Sequence, residues 1–295
     1  MPLSVTFGNE DEGPFYIQHI HRSGPFERTQ HMHDMYELYY LYEGERMYFI
    51  RDRSYLILPG DLVLINRRDL HATSDSDKLG HAQIVINFSD SFLESMKEDA
   101  PFLLDAFTHA TPVLRLDLPT RRLVEDILGK LMHEAKEPLL GQFFALRQYL
   151  IELLLFTARY VRMHPVTSPE HVSPLHRKIS IIVRFINTHF AEPLRLEELA
   201  EKFEISPAYL SRMFKEITGF SLVEYVNLVR VQEAQSLLTH SRLKVILIAE
   251  QVGFGSLVQF GRVFRQITKT TPLRYRQSAA AKFTPPRENE KGQGS

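Results

Sequence analysis

The chain has 295 residues, with 35 Lys+Arg against 36 Asp+Glu and a formal net charge of −1. That length suits two domains, each able to bury its own core. It has no cysteine, which excludes disulfides, thiolate nucleophiles and cysteine-based zinc sites; no run of 18 apolar residues suggests a membrane span. The first twelve residues lack the basic-then-apolar pattern of a secretion signal, so a cytoplasmic protein is expected.

In chain order, a polar arm runs to about Glu12. Short alternating or aromatic runs follow at 15–20, 36–42, 46–51, 55–58, 61–65 and 82–88. Turn signals such as Glu43-Gly44-Glu45 and Pro59-Gly60-Asp61 separate them. Several short strands at this spacing predict an all-β barrel or sandwich over 13–92. From Leu93 the period becomes helical, with candidates at 92–110, 119–137 and 141–163. Leu123, Ile127, Leu128 and Leu131 mark one face of the second. Phe144, Leu150, Leu153, Leu154 and Phe156 are the apolar positions of the third. This region, 93–163, either packs on the barrel or carries a dimer contact. Residues 164–175, with three prolines, read as a linker.

The last third, 176–278, reads as all-helical. Ile179, Ile182, Val183 and Ile186 give its first helix a buried stripe. Two helix-turn-helix units follow, at 196–217 and 244–267. In the first, Leu196, Leu199, Ala200 and Phe203 lie at helical spacing. Ser206 then stands at an N-cap, Pro207 at the first helical position, and Leu210, Phe214 and Ile217 form the buried stripe. Fifty residues on, Ser256, Phe260, Arg262, Phe264 and Ile267 repeat Ser206, Leu210, Arg212, Phe214 and Ile217. Upstream of them, Ile246, Ala249 and the turn Gly253-Phe254-Gly255 stand for the first unit's helix and turn. Ser221-x-x-Glu224 is a capping box that opens a connecting helix, with Leu222, Tyr225, Val226, Val229, Leu237 and Leu238 on its buried side. Two recognition helices on one face of DNA must sit about one turn apart, roughly 34 Å. After Gln277 the tail, 279–295, is expected to be disordered.

Charge follows the same division. Residues 1–163 carry 17 Lys+Arg and 24 Asp+Glu, whereas residues 176–278 carry 15 and 9. A basic module on an acidic body is the pattern of a chain in which only that module meets phosphate.

Two resemblances organise these readings. The C-terminal third resembles the DNA-binding domain of the AraC/XylS family of bacterial transcription regulators. The match rests on Leu199-Ala200, Ser206-Pro207-x-Tyr209-Leu210-Ser211-Arg212-x-Phe214-Lys215, Thr218-Gly219, Glu224-Tyr225, Arg230 and Glu233-Ala234. It continues through Ile248-Ala249, Val252-Gly253-Phe254, Phe260, Arg262, Phe264 and Thr271-Pro272-x-x-Tyr275-Arg276. Departures are Lys269, where the family usually has glycine, and Val258-Gln259, where Ser-Tyr is common. In the strand region, His31-x-His33-x3-Glu37-x6-Gly44 resembles the first motif of the cupin fold. Gly60-x5-Asn66-x-Arg68-x2-His71 resembles the second, with Asn66 for the usual proline and Arg68 for the usual glycine.

The expected architecture is therefore multidomain α+β. A cupin-like β-barrel with following helices precedes an all-α tandem helix-turn-helix domain. Positions 31, 33, 35, 37 and 39 share parity and, on one strand, face the barrel interior. His31, His33, Glu37 and His71 then either bind a divalent metal, to which imidazole and carboxylate suit, or line an effector pocket without one. Tyr39 either stacks on a ligand or is core. Tyr36, Tyr40, Tyr42, Tyr48, Phe49 and Tyr55 are packing, and Arg67 and Arg68, near the barrel mouth, are either solvated or meet an anionic ligand.

On the DNA side, Arg212 and Arg262 are the base-reading candidates, most simply against guanine. Ala208, Tyr209, Ser211, Ser256, Leu257 and Val258 are their neighbours, the apolar pair being suited to thymine methyl groups. Lys215 and Arg265 are phosphate contacts. The resemblance implies a transcription regulator, of the activator kind, that binds double-stranded promoter DNA and a small-molecule effector, plausibly a sugar. It also implies homodimer formation and contact with RNA polymerase. No resident cofactor is expected beyond the open question of the metal. No Gly-x-Ser-x-Gly or phosphate-binding glycine loop is present. A metal-dependent cupin enzyme with an accessory helical domain stays open as an alternative, as does a DNA-bending architectural protein.

Overall fold

The computed structural model describes residues 4–9, 13–24, 29–31, 33–76, 80–96, 99–137, 139–164 and 173–282. For 29–31, 95 and 279–282 it describes the backbone alone. The chain divides into two compact units, and the division falls within one helix, Pro174–His189.

The first unit holds ten strands: β1 (Val5–Phe7), β2 (Phe15–Arg22), β3 (Thr29–His31), β4 (Tyr36–Gly44), β5 (Arg46–Ile50), β6 (Arg53–Ile57), β7 (Asp61–Ile65), β8 (His71–Asp75), β9 (His81–Phe88) and β10 (Val113–Arg115). They form a six-stranded sheet in the order β1-β2-β9-β4-β7-β10 and a four-stranded sheet in the order β3-β8-β5-β6. Every pairing is antiparallel. β1 corrects the expectation of a wholly polar arm, and β10 interrupts the stretch expected to be helical. Short 3-10 helices, Asp90–Met96 and Pro101–Thr108, stand where one helix was expected. The long helices α1 (Leu118–Lys136) and α2 (Gln142–Met163) follow.

Side-chain alternation on the central strands divides the unit into two cores. On β4, Tyr36, Leu38 and Tyr40 point outward and join Leu62, Leu64, Ile84, Ile86 and Phe88. The same core takes Val124, Ile127, Leu128 and Leu131 of α1 and Leu146, Leu150, Leu153 and Leu154 of α2. Tyr39 and Leu41 point inward with Tyr48, Ile50, Tyr55, Ile57, Val63 and Ile65. β7 is covered on both faces, so all of Asp61–Ile65 is buried and Leu62–Ile65 read as an unbroken apolar run, while Asp61 pairs with Arg115 at 2.9 Å. The helices meet the sheet on the expected faces, through Ile127, Leu128 and Leu131 of α1 and Leu150, Leu153 and Leu154 of α2, and differ from the sequence reading only at the edges of those faces. Leu123 and Phe144 are 49% and 65% exposed, and Val124 and Leu146 are buried in their place.

The second unit contains the rest of α3 (Pro174–His189), then α4 (Leu196–Lys202), α5 (Pro207–Thr218), α6 (Leu222–His240), α7 (Val245–Gln251), α8 (Leu257–Thr268) and α9 (Pro272–Lys282). The capping box of α6 forms: Glu224 N–H donates to Ser221 Oγ at 3.3 Å, and Ser221 N–H donates to Glu224 Oε2 at 2.8 Å. Its buried side is Leu222, Tyr225, Val226, Val231, Ala234, Gln235 and Leu238. Val229 and Leu237, expected inside, are half-buried. Val231, Ala234 and Leu238 pack with Ile248, Ala249, Val252, Phe254, Phe260, Val263 and Phe264. Ile246, expected to face inward, is 47% exposed. Arg230 of α6 donates to the carbonyls of Phe190 and Glu192, at 2.7 and 2.8 Å. α9 was not foreseen; it places Tyr275 edge-on against Phe264 at 5.7 Å. Its last turn, 279–282, lies in the expected tail, whose remainder falls outside the described residues.

Candidate DNA-reading helices and barrel site

In each helix-turn-helix unit a serine hydroxyl starts the second helix. Ser206 Oγ accepts the Tyr209 N–H at 3.3 Å, and Ser256 Oγ accepts the Gln259 N–H at 3.2 Å. Leu210 and Phe214 turn inward on α5, Phe260 and Phe264 on α8. The remaining faces are left to solvent: Ala208, Tyr209, Ser211, Arg212 and Lys215 on α5, and Ser256, Leu257, Val258, Arg262 and Arg265 around α8. All ten candidates for DNA contact are thus exposed. Arg212 holds its guanidinium 5.6 Å from the centre of the Tyr209 ring. Lys269 closes α8 with φ 58°, matching Gly219 of α5 at φ 85°. The turn needs the left-handed conformation whichever residue supplies it.

Inside the barrel the chain brings together three of the four expected polar groups. Glu37 is buried on β4, and its Oε2 lies 3.1 Å from His33 Nε2 and 3.6 Å from His71 Nε2. His33 Nδ1 lies 3.1 Å from the Met35 carbonyl, and His71 Nδ1 lies 2.9 Å from that of Asp69. Each ring is therefore oriented from behind. The three ligand atoms lie within 4.8 Å of one another. Burial opposes ionisation of Glu37, but the hydrogen bonds to His33 and His71 outweigh it and hold the carboxyl well below the usual carboxylate range.

His31 reaches this level by a different route from the one expected. The 31–39 stretch is not one strand: β3 ends at His31, β4 begins at Tyr36, and His33 lies between them. β3 pairs with β8, which puts His31 opposite His71 in register; its side chain is outside the described residues. Arg68 has φ 65° at the cupin motif's glycine position. Its side chain donates to Asp34 at 3.1 Å, and that of Arg67 pairs with Asp90, so neither is merely solvated.

Tyr39 is buried, its hydroxyl donating to Gln83 Oε1 at 3.0 Å and its ring 4.9 Å from Tyr48. Burial keeps its phenol protonated well beyond the ordinary range. Sequence reasoning missed a set of buried polar groups: Arg46 of β5 in the four-stranded sheet, whose guanidinium meets Asp75 at 2.5 Å, and His81, Gln83 and Asn87 of β9, the strand beside that of Glu37. Asn87 lies opposite Glu37 in register and is fully buried. Neither atom of its amide has a hydrogen-bond partner among the described residues. The signal was present in β9, where His81, Gln83 and Asn87 alternate with Ala82, Ile84, Ile86 and Phe88.

Comparison with known proteins matches both units. Residues 14–154 match the model of an AraC-like ligand binding domain, and residues 199–278 match that of a helix-turn-helix domain. The chain belongs to the AraC family. It is thus an AraC-family transcriptional regulator, with a ligand-binding domain followed by a DNA-binding one. The HTH-type transcriptional activator RhaS of Salmonella schwarzengrund is 26% identical over 281 residues, which are 94% of this chain and 97% of that protein. An HTH-type transcriptional regulator of Staphylococcus aureus is 30% identical over 220 residues, 74% of this chain but 28% of that longer protein. Among solved structures, ToxT from Vibrio cholerae aligns with 91% of the chain at 15% identity and a TM-score of 0.36. The C-terminal domain of AraT from Geobacillus stearothermophilus aligns with 41% at 30% identity and a TM-score of 0.35. In AraC-family terms, α5 and α8 are the second helices of the two helix-turn-helix units. The ligand-binding match runs past the strands into α2, whose inner face shares the sheet's core.

Proposed function

We propose that this protein is a cytoplasmic transcriptional activator whose barrel binds a small hydroxylated effector, such as a sugar, and whose α5 and α8 read promoter DNA. The observation that carries the DNA reading is the recurrence of an exposed arginine, Arg212 and Arg262, at one helical position in both units. A guanidinium presented this way can make paired hydrogen bonds to guanine, with Lys215 and Arg265 one turn on toward phosphate. The sugar assignment rests on the interior polar groups: Glu37, His71, Gln83 and Asn87 supply both acceptors and donors for hydroxyls. Activation follows the name of the relative RhaS, and we propose contact with RNA polymerase as its route. No helix among the described residues is long and apolar enough to cross a membrane.

We assign the protein no catalytic activity, and we propose that it acts as a homodimer. Leu123, Phe156 and Met163 line a groove of about 530 Å³ along α1 and α2, an apolar surface suited to a second copy. Sedimentation of the wild type against Leu123→Glu tests this, with a monomeric wild type counting against it.

A second reading of the barrel is favoured by the closeness of the His33, Glu37 and His71 ligand atoms. Two imidazoles and a carboxylate fit a divalent cation such as zinc or manganese, which would supply Lewis acidity or hold an effector oxygen. Metal analysis and calorimetric titration with Zn²⁺ and Mn²⁺ test it; stoichiometric binding lost in His71→Ala supports the metal, and an unsaturable titration removes it.

The decisive experiment is selection from sheared genomic DNA near physiological salt, with sequencing of the bound fragments. Sharp enrichment of a few promoter fragments is expected. Broad, salt-sensitive retention would favour an architectural role. No retention, with metal present and a substrate turned over, would favour the cupin enzyme.

A further inference from the structure

α8 carries a glycine that the fold does not require. Glycine in a helix interior is about 1 kcal/mol less favourable than alanine. At Gly261 an added Cβ would meet nothing within 4 Å. The equivalent residue of α5 is Ser211. Gly261 lies on the face shared, at i, i+1, i+4, i+5 and i+8 spacing, by Leu257, Val258, Arg262 and Arg265. Those residues line a shallow groove on the outside of the unit. At its N-terminal end Leu257 and Val258 are 46% and 84% exposed, where the first unit presents Pro207 and Ala208. Bulky apolar side chains thus stand in water at the end of the helix that meets base edges, with exposed arginines beside them.

We infer that α8 reads thymine methyl groups through Leu257 and Val258, and that Gly261 is kept bare so that the helix backbone can lie close against the groove. The inference rests on the reading of α8 as the second recognition helix. The C5 methyl of thymine is the apolar feature of the major-groove edges, so it is the complement of an apolar helix start. Arg262 and Arg265, which follow the glycine on the same face, suit a polyanionic partner. Leu257 and Val258 are adjacent, so they address neighbouring base pairs, and the second half-site carries A·T pairs next to the pair read by Arg262. A side chain at position 261 would hold the helix away from those bases.

The test uses the full-length protein and its selected promoter fragment. Each thymine of the second half-site is replaced singly by deoxyuridine, which removes the methyl group and leaves every hydrogen-bonding group in place. Binding is expected to weaken about fourfold at each of two neighbouring positions, the effect of burying one methyl group. The variant Leu257→Ala/Val258→Ala should bind weakly and no longer distinguish thymine from uracil. Gly261→Ala should be as thermally stable as the wild type or more so, yet bind at least tenfold more weakly. Indifference of the wild type to deoxyuridine, or full affinity of Gly261→Ala, overturns the inference. Arg262→Ala separates that failure from a deeper one. Weakened binding by Arg262→Ala together with uracil indifference leaves α8 a DNA-reading helix of another specificity, whereas unaltered binding removes α8 from the interface and the inference with it.

Discussion

Glu204 and Gly253 hold the same left-handed backbone conformation, with φ 53° and 88°, at matching points of the two helix-turn-helix units. Each is followed by the same bond, Ile205 N–H to Ala200 C=O and Phe254 N–H to Ala249 C=O, both 2.9 Å. The turn demands this geometry, and the two units meet it with different residues. Glutamate is strained there by about 1 kcal/mol and glycine is not. Glu204→Gly is therefore expected to stabilise the C-terminal unit by about 1 kcal/mol in chemical denaturation. Gly253→Ala should destabilise it by roughly 2 kcal/mol or more, because the new Cβ would stand 2.5 Å from the Ala191 carbonyl oxygen. Equal effects of the two substitutions would show that the turns are not equivalent.

Asn87 offers a test of whether the barrel trades stability for ligand binding. A buried amide without partners destabilises a fold by about 1–3 kcal/mol. Asn87→Leu, of similar shape, is expected to raise the melting temperature of the ligand-free protein. The same variant should lose the effector-dependent change in DNA binding. Unchanged stability with a full effector response would show that the amide is satisfied and has no part in recognition.

Acid should weaken the first unit in two stages. Burial, then the nearby Arg46 guanidinium, hold the His81 imidazole down at about 4, below its ordinary 6.5. The unfolded chain therefore binds a proton that the folded chain refuses between these two values. Stability is complete above about pH 6.5 and falls as the pH drops toward 4, by an amount on the order of 2 kcal/mol. Glu37, held below the usual carboxylate range by His33 and His71, adds a further loss below about pH 4.5. Denaturation midpoints from pH 8 to 4 check this, with His81→Gln expected to flatten the upper stage.

On DNA, Arg212→Ala should weaken specific binding by about 1–3 kcal/mol and relax one base position. Lys215→Ala should weaken binding to all sequences alike and reduce the salt dependence by about one ion. Retained preference in Arg212→Ala would take that side chain away from the bases.

The parts of this protein legible in the sequence are those whose local chemistry is complete. The capping box of α6 and the serine caps of α5 and α8 need only neighbouring residues, and strands such as Asp61–Ile65 are bounded by their own turns. What escaped depends on distant partners. β1, β3 and β10 are three residues each, and β8 is largely polar, so their strand character comes from the strands beside them. α9 has little apolar stripe and is anchored by Tyr275 on Phe264. On α1 and α2 the buried faces were legible, but their edges were not: the sheet buries Val124 and Leu146 and leaves Leu123 and Phe144 to solvent. The barrel site was legible as a set of residue types but not as a path, because the chain leaves the strand between His31 and Tyr36.

The helix joining the two DNA-reading units has a consequence for the duplex itself. α6 is one uninterrupted helix of 19 residues, tied by Arg230 to the carbonyls that follow α3. At 1.5 Å per residue it is about 28 Å long, and it has no hinge at which to lengthen. Any mismatch between the reach of α5 and α8 and the spacing of successive major grooves must be taken up by the DNA. Binding then carries an elastic term set by bases that no side chain touches. Among sites with identical half-sites, those with easily kinked pyrimidine–purine steps between them should be occupied first.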